Sequence, residues 1–205
     1  FEYKVLNKKP GESIAFGKYL QNGYTVDEAE KIKWRILATV DDRAFLISEK
    51  CLDCKPYNLD NRDITWEVCS LRKWLNCDFI KSAFNDQEQA QIITTKVANV
   101  GIPDFITVAG NNTEDKVFLL SFSEVEKFQK TNFERKACAT NYSIANGVFV
   151  NQYNNCWWWL RSSGYCQNSA IFIGEDGEIN SDGYVDSEYI GVRPALWMHL
   201  KSENV

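Results

Sequence analysis

Few side chains in this chain are of the types that usually carry out chemistry. His199 is the only histidine, so catalysis of the Ser-His-Asp or Cys-His type would have to use that one imidazole. Cys51 and Cys54 form a Cys-x-x-Cys pair, but a structural zinc site needs a second pair at similar spacing. Cys69 and Cys77 are too far apart in sequence to supply it. We therefore expect no metal site, no cofactor and no catalytic residue.

Other chemical signatures are absent or open to two interpretations. The chain has no GxGxxG, GxxxxGK[ST] or HExxH motif, which excludes the common nucleotide-binding and zinc-protease patterns. Two acidic pairs, Glu175 with Asp176 and Asp182 with Asp186, are compatible with carboxylate-based glycoside cleavage. Both pairs lie in turn-rich sequence, where acidic side chains commonly have a solvating role. The seven cysteines cannot all pair with one another, and we expect small buried thiols.

Size and composition indicate one globular domain, which we place at residues 1–205. Of these 205 residues, 44% are hydrophobic and 14% are aromatic, which is enough for a substantial core. The net charge is −5 and the Lys and Arg residues do not form a block, so we expect no nucleic-acid partner. Because no apolar run approaches the roughly 18 to 20 residues that cross a bilayer, we also expect no transmembrane segment.

Strand-like alternation occurs in the first part of the chain and again in the last third. The predicted strands span residues 12–20, 32–38, 44–47, 117–120, 157–161, 170–173, 178–180, 183–186 and 192–200. The predicted turns lie at Asp41-Asp42, Asp176-Gly177 and Asp182-Gly183.

Helical spacing appears in the middle of the chain. One predicted helix has on its buried face Val68, Leu71, Trp74 or Leu75, and Phe79. Asn85 with Glu88 predicts a capping box and a second helix, and Ser123 begins a short third helix by the same pattern. Residues 95–114 are predicted to form a long loop, and residues 130–153 a partly irregular connection. Strands followed by helices and then by strands, without βαβ alternation, indicate an α+β fold with an antiparallel sheet.

Residues 154–170, NNCWWWLRSSGYCQNSA, pass from three adjacent tryptophans to small polar residues. In a strand, Trp157 and Trp159 point to one face of the sheet and Trp158 points to the other. We therefore expect at least one buried indole on each face and assign Trp157 and Trp159 a structural role.

Two arginines are also predicted to be structural. Arg161 and Arg193 each lie between apolar residues and a glycine or proline. Arginines in that setting commonly anchor a fold by pairing with a carboxylate and with backbone carbonyls. We expect such pairing for both.

Eight segments together resemble a bacterial family of largely uncharacterised proteins. They are IAFGKYL (14–20), IKWRILA (32–38), AFLISEKCLD (44–53), TWEVCSLRKWLN (65–76), FNDQEQAQI (84–92), DKVFLLSFSEV (115–125), WWLRSSG (158–164) and GVRPALW (191–197). They follow the family's order over nearly the whole chain, and WLRS and GVRPALW are the most specific. Members of this family are similar to C-type-lectin-fold domains and to formylglycine-generating-enzyme-like domains. The resemblance implies paired N- and C-terminal strands, two main helices on the sheet and an irregular face in the last third.

Some relatives are similar to the variable proteins of diversity-generating retroelements. In those proteins the stretch between WLRS and GVRPALW is mutated at adenines, in codons that end in a pyrimidine and cannot encode Glu or Gln. The corresponding stretch here contains Gln167, Glu175, Glu178 and Glu188. Those four positions are therefore not products of such codons, and the resemblance implies either a variable protein or a non-diversified relative.

The mixture of Tyr, Ser, Asn and Asp in residues 163–189 predicts a binding surface. Tyrosine supplies contact area at low entropic cost, while Ser and Asn adapt their hydrogen bonding, as in antibody paratopes. The predicted ligand-binding residues are Tyr165, Gln167, Asn168, Ser169, Asn180, Asp182, Tyr184, Asp186 and Tyr189. We expect a protein or glycan ligand, contacted by the tyrosines rather than by the indoles.

Two other functions remain open at this point. One is a metal- or thiol-dependent enzyme of the formylglycine-generating type, although no motif maps that family's copper-binding cysteine pair onto Cys156 and Cys166. The other is a structural module of a surface or phage-tail assembly. The resemblance favours a location at the bacterial cell surface or on a phage.

Overall fold

The structure, a computed structural model, describes residues 8–22 and 28–200 and has an α+β architecture with curled, mostly antiparallel sheets. The strands are β1 (Ser13–Tyr19), β2 (Glu30–Val40), β3 (Arg43–Ser48), β4 (Asp53–Cys54), β5 (Ile92–Ile93), β6 (Thr95–Val97), β7 (Thr113–Asp115), β8 (Val117–Phe118), β9 (Trp158–Ser163), β10 (Ser169–Ile173), β11 (Ile179–Tyr184), β12 (Gly191–Val192) and β13 (Ala195–His199). The helices are α1 (Ser70–Trp74), α2 (Ile80–Ala83), α3 (Asp86–Gln91), α4 (Phe122–Phe128), α5 (Asn132–Arg135) and α6 (Asn141–Ala145).

The first sheet has the strand order β1-β2-β3-β13-β5, and β8 also pairs with β13. The predicted hairpin of β2 and β3 is confirmed, with Val40 opposite Arg43 across the turn at Asp41-Asp42. Asp41 has φ +54°, a left-handed conformation that Asp tolerates better than most residues. The predicted pairing of the N- and C-terminal strands is wrong within the described residues, because β2 and β3 separate β1 from β13.

The second sheet has the order β11-β10-β9-β12-β4, and its β9–β12 pair is parallel. A predicted turn at Asp182-Gly183 is wrong, because β11 continues through both residues. Gly183 is needed there for close packing, since a Cβ would lie 2.7 Å from the Trp159 ring and 2.9 Å from the Phe172 ring. The last third of the chain is thus regular sheet at β9, β10 and β11, rather than the irregular face that we expected.

The predicted strand over residues 192–200 is two strands in different sheets. β12 belongs to the second sheet and β13 to the first, and Arg193 and Pro194 cross from one to the other. Proline lacks the N–H that a ladder requires, which accounts for the break. Buried side chains of both sheets and of the central helices belong to one hydrophobic core.

The central helical segment, 70–83, consists of α1, a π-helical turn at Leu75–Phe79, and α2. Leu71, Leu75 and Phe79 are buried as predicted, whereas Val68 is 65% exposed in a short 3-10 turn before the helix. The helix is nevertheless amphipathic over most of the predicted range. No helix in the described ranges is long and apolar enough to cross a membrane.

Helix capping follows the sequence closely at one position and differs at another. Asn85 and Glu88 form the predicted capping box of α3. The box of α4 is made by Ser121 and Glu124 rather than by Ser123. The predicted loop over residues 95–114 contains a short hairpin, because β6 pairs with β7.

Gly177 makes the turn between β10 and β11 sterically demanding. Its φ is +86°, and a Cβ there would overlap the carbonyl oxygen of Asn132. The Gly177 carbonyl also accepts a hydrogen bond from the Arg135 Nε at 2.7 Å. Gly11 has a similar φ, +92°, but no heavy atom lies within 4 Å of its Cβ position.

We predict that Gly177→Ala lowers the free energy of unfolding by about 3 kcal/mol or more, because backbone strain and overlap act together. Gly11→Ala, the matched control, carries only the left-handed strain and costs about 1–2 kcal/mol. Urea denaturation of both variants measures the difference. Equal losses for the two variants would contradict the packing described for Gly177.

Candidate functional site

The three adjacent tryptophans divide between the core and the surface. Trp158 and Trp159 are fully buried, and Trp157 is partly exposed. The ring centroids of Trp157 and Trp159 lie 5.0 and 6.3 Å from that of Phe172, which places both indoles on one face of the sheet. The Arg193 guanidinium lies 4.8 Å from the Trp158 ring centroid. The predicted alternation and the burial of an indole on each face are confirmed.

Arg161 is buried and has the partners predicted for an anchoring arginine. Its guanidinium contacts both carboxylate oxygens of Glu124, at 2.5 and 3.2 Å. It also donates to the carbonyl oxygens of Leu119 at 2.7 Å and Ala98 at 3.0 Å. These bonds connect β9 to the start of α4 and to the chain after β6. The Arg161 guanidinium therefore has a structural role.

Arg193 is buried but lacks the predicted carboxylate. It donates from Nε to the Ser48 carbonyl at 2.9 Å and from Nη1 to the Arg135 carbonyl at 3.5 Å. Within residues 8–22 and 28–200 it forms no ion pair, and the Trp158 ring supplies the facing surface instead. Burial lowers the pKa of Arg193 to about 10, because removal from water disfavours the charged form.

A surface cleft, which we name the Tyr165 cleft, brings together three of the predicted ligand-binding residues. They are Tyr165, Gln167 and Asn168, in the turn between β9 and β10, and they face the loop that follows β6. The cleft has a volume of about 510 Å³ and is lined by Asp63, Asp104, Phe105, Ile106, Thr107, Tyr165, Cys166, Gln167 and Asn168. A volume of this size lies within the usual range of ligand sites.

Gln167 holds the two walls of the Tyr165 cleft together. Its Oε1 accepts a hydrogen bond from the Val108 N–H at 2.7 Å, and its Nε2 donates to the Val108 and Ile64 carbonyls at 3.0 Å each. Thr107 adds a bond from its hydroxyl to the Gly164 carbonyl at 3.0 Å. The amide of Gln167 is therefore committed to shaping the cleft, and its role differs from the direct ligand contact that we predicted.

The lining of the Tyr165 cleft combines exposed apolar groups with negative charge. Ile106 is fully exposed at 101%, and Tyr165 is 67% exposed. Phe105 packs edge-on against Tyr165, with ring centroids 6.0 Å apart. The lining includes the carboxylates of Asp63 and Asp104 and no basic side chain. Neighbouring exposed apolar side chains that are rimmed by polar groups, unlike a single exposed one, are a feature of interaction sites.

The other predicted ligand-binding residues divide among several places. Ser169 is buried and bonds within its own turn, where its hydroxyl accepts from the Cys166 N–H at 3.0 Å. Asn180 donates to the Glu178 carbonyl at 3.3 Å, also within a turn. Asp182 and Tyr184 are exposed on β11, Asp186 is half-buried after it, and none of these three lines the cleft.

Tyr189 belongs to a second, partly exposed surface, which we name the Trp157 cluster, formed by Phe149, Trp157, Phe172 and Tyr189, of which Phe172 is buried beneath the others. The Trp157 ring centroid lies 4.6 Å from that of Phe149 and 5.8 Å from that of Tyr189, and its indole N–H donates to Glu175. Trp157 precedes β9 and Tyr165 follows it, so about 20 Å of strand separates the two surfaces. The predicted continuous 163–189 surface is therefore divided.

One wall of the Tyr165 cleft was missed by sequence reasoning. Residues 104–107 lie in the segment that we predicted to be a long loop, and Asp63 lies in a separate segment. The available signal was the apolar pair Phe105-Ile106 directly after Gly101-Ile102-Pro103-Asp104. Adjacent apolar residues in a glycine- and proline-bounded loop suggest a surface position with a binding role, and in the structure Phe105 packs against the core while Ile106 is exposed.

The sequence candidates for metal and acid–base chemistry are not assembled at the cleft. Cys51 and Cys54 have different partners, because the Cys51 Sγ contacts the Cys156 Sγ and the Cys54 Sγ donates to the Glu188 carbonyl. His199 lies at the end of β13, exposed and 3.6 Å from an Asp42 carboxylate oxygen. In the part of the chain that the structure describes, no three His, Cys, Asp or Glu side chains are placed to hold a metal.

A family model described as "Domain of unknown function (DUF6273)" matches residues 41–200. The chain belongs to the DUF6273 family. No curated protein and no solved structure matches it. The DUF6273 match includes every residue that lines the Tyr165 cleft and every member of the Trp157 cluster, whereas β1 and β2 lie before it.

We predict that Gln167→Ala in this DUF6273 domain speeds hydrogen exchange of the Val108 amide by about tenfold or more, because that N–H loses its acceptor. Hydrogen–deuterium exchange with fragment-level resolution measures the effect. Asn180→Ala is the control, since the Asn180 amide bonds only within its own turn. Unchanged protection of Val108 in Gln167→Ala would show that Gln167 does not hold the cleft wall.

Proposed function

We propose that this chain is a non-catalytic binding domain of C-type-lectin-like fold, whose Tyr165 cleft binds a polypeptide segment carrying apolar and basic side chains. The observation that carries the proposal is the exposure of Ile106 and Tyr165 in a cleft lined by two carboxylates and no basic residue. An apolar anchor on the ligand would cover Ile106 and Tyr165. A basic side chain would pair with Asp63 or Asp104.

The distribution of fixed and exposed residues supports a display function. Gln167 and Glu175, which retroelement-type mutagenesis cannot produce, both have structural partners, Val108 for the first and Trp157 for the second. Tyr165 and Tyr184, which such mutagenesis allows, are 67% and 59% exposed. Glu178 and Glu188, the other two positions that such mutagenesis cannot produce, are exposed, so the distribution favours a non-diversified relative over a fully diversified protein.

A binding function is favoured over an enzymatic one by the contents of the cleft. The exposed Cys166 thiol is its most nucleophilic group, and the only histidine, His199, lies in another sheet, 3.6 Å from an Asp42 carboxylate oxygen. A nucleophile normally needs a base within hydrogen-bond reach. The apolar wall also favours a polypeptide over a glycan, because a sugar ligand would leave Ile106 without an apolar partner.

The proposal predicts which variants of the cleft lose affinity. Panning a phage-displayed random peptide library on the immobilised full chain should enrich peptides with basic and apolar residues. Tyr165→Ala and Ile106→Ser should each weaken the binding of those peptides by about tenfold or more, as truncation of a central anchor does. Tyr153→Ala is the matched control, because Tyr153 is 72% exposed but does not line the cleft.

Titrations at several salt concentrations complete this test. Asp63→Asn and Asp104→Asn should weaken binding and also flatten its salt dependence, because each removes one charge that attracts the ligand. A parallel glycan array identifies the alternative ligand class. Wild-type affinity in both Tyr165→Ala and Ile106→Ser, or binding of glycans alone, would refute the proposal.

A further inference from the structure

Two cysteines far apart in sequence meet in the interior of the protein. The Sγ atoms of Cys51 and Cys156 lie 2.8 Å apart, across a sequence separation of 105 residues. Both residues are 0% exposed, and both are free thiols. Neither the binding proposal nor the family match assigns this pair a role.

The backbone fixes the positions of both cysteines. Cys51 donates its N–H to the Cys138 carbonyl at 2.9 Å, and Cys156 donates its N–H to the Ala137 carbonyl at 2.8 Å. Gly191 packs beside them, and any Cβ at that position would lie 3.1 Å from the Cys51 Cβ. The pair is thus held by backbone bonds on both sides, and a glycine keeps the adjoining space clear.

We propose that Cys51 and Cys156 form an intramolecular disulfide bond. A disulfide places its sulfurs about 2.05 Å apart, so the sulfur atoms need to approach by only about 0.75 Å from the observed 2.8 Å. Formation links the end of β3 to the residue directly before Trp157, and hence to the start of β9. It closes a loop of more than a hundred residues, a length at which a cross-link strongly restricts the unfolded chain.

The oxidant is an external disulfide, either glutathione disulfide or the disulfide of another protein. One cysteine thiolate attacks it and forms a mixed disulfide, releasing one thiol. The other cysteine then attacks the first cysteine's sulfur and releases a second thiol. The two protein thiols lose two electrons and two protons in total, and the external disulfide becomes two thiols.

Burial determines when this reaction takes place. Removal from water raises the pKa of the Cys156 thiol well above its usual value, and the adjacent Cys51 thiol adds to the effect. A protonated, inaccessible thiol exchanges slowly. The bond therefore forms while the chain folds, and in the folded protein the sulfurs are shielded from reductants.

The remaining cysteines have other partners or are exposed. The Cys54 Sγ donates to the Glu188 carbonyl at 3.1 Å, and the Cys69 Sγ accepts the Arg72 N–H at 3.4 Å. The Cys138 Sγ lies 3.7 Å from an Asn155 amide oxygen. Cys77 and Cys166 are exposed. Selectivity for the pair of Cys51 and Cys156 follows from these contacts.

The test is to refold the full chain in a glutathione and glutathione disulfide buffer, quench with acid, denature, and alkylate the free thiols. Five of the seven cysteines should be alkylated, and peptide mapping should find one linkage, between Cys51 and Cys156. The oxidised protein should melt about 4–16 °C above the fully reduced protein. Alkylation of all seven cysteines, or a linkage of Cys156 to Cys138, would overturn the proposal.

Variants locate the bond independently of stability. Cys156→Ser should leave all six remaining cysteines alkylated under the same conditions. Cys54→Ser, which removes a buried thiol without a cysteine partner, should retain the linkage and four alkylated thiols. If Cys156→Ser folds poorly, peptide mapping of the wild-type chain still tests the proposal. A disulfide between other cysteines in Cys156→Ser would count against it.

Discussion

The junction of the two sheets depends on the buried guanidinium of Arg193. The chain leaves the second sheet at Val192 and enters the first at Ala195, and Arg193 joins the two by donating to the Ser48 carbonyl and stacking on Trp158. A buried cation without a paired carboxylate is tolerated only when carbonyl dipoles and an aromatic face replace its hydration. The contacts of Arg193 therefore tie the end of β3 in the first sheet to β9 in the second.

That junction determines what β9 can present. Because Trp158 is fixed beneath Arg193 and Arg161 is fixed to Glu124, the strand is anchored along its length and its two ends become rigid supports. One end carries the Trp157 cluster and the other carries the Tyr165 cleft. Binding residues on turns that are held by a rigid strand lose less conformational entropy when a ligand binds. The rigid strand therefore favours ligand binding at the exposed turns at its ends.

Local patterns predicted most of the elements, and long-range contacts determined the rest. The hairpin of β2 and β3 and the Asn85 capping box depend on neighbours in sequence, and both were predicted. The prediction of a turn at Asp182-Gly183 was wrong because position 183 needs a glycine for a different reason, namely the close approach of the Trp159 ring. That contact is long-range, and a dipeptide pattern does not contain it. The break between β12 and β13 at Pro194 was also missed, because residues 192–200 were predicted to form one strand. Only the wall of the Tyr165 cleft that contains Tyr165, Gln167 and Asn168 was predicted. The other wall, Asp63 and residues 104–107, is distant in sequence and approaches Tyr165 only after folding.

Ligand binding at the Tyr165 cleft is tested most directly by an amide chemical-shift map of the isotopically labelled chain, titrated with a peptide selected on the wild-type protein. The shifted amides should cluster at residues 104–108 and 163–168, and the amides of the Trp157 cluster should not shift. Shifts centred on Phe149, Trp157 and Tyr189, with none at Tyr165, would show that the wrong end of β9 has been assigned to the ligand.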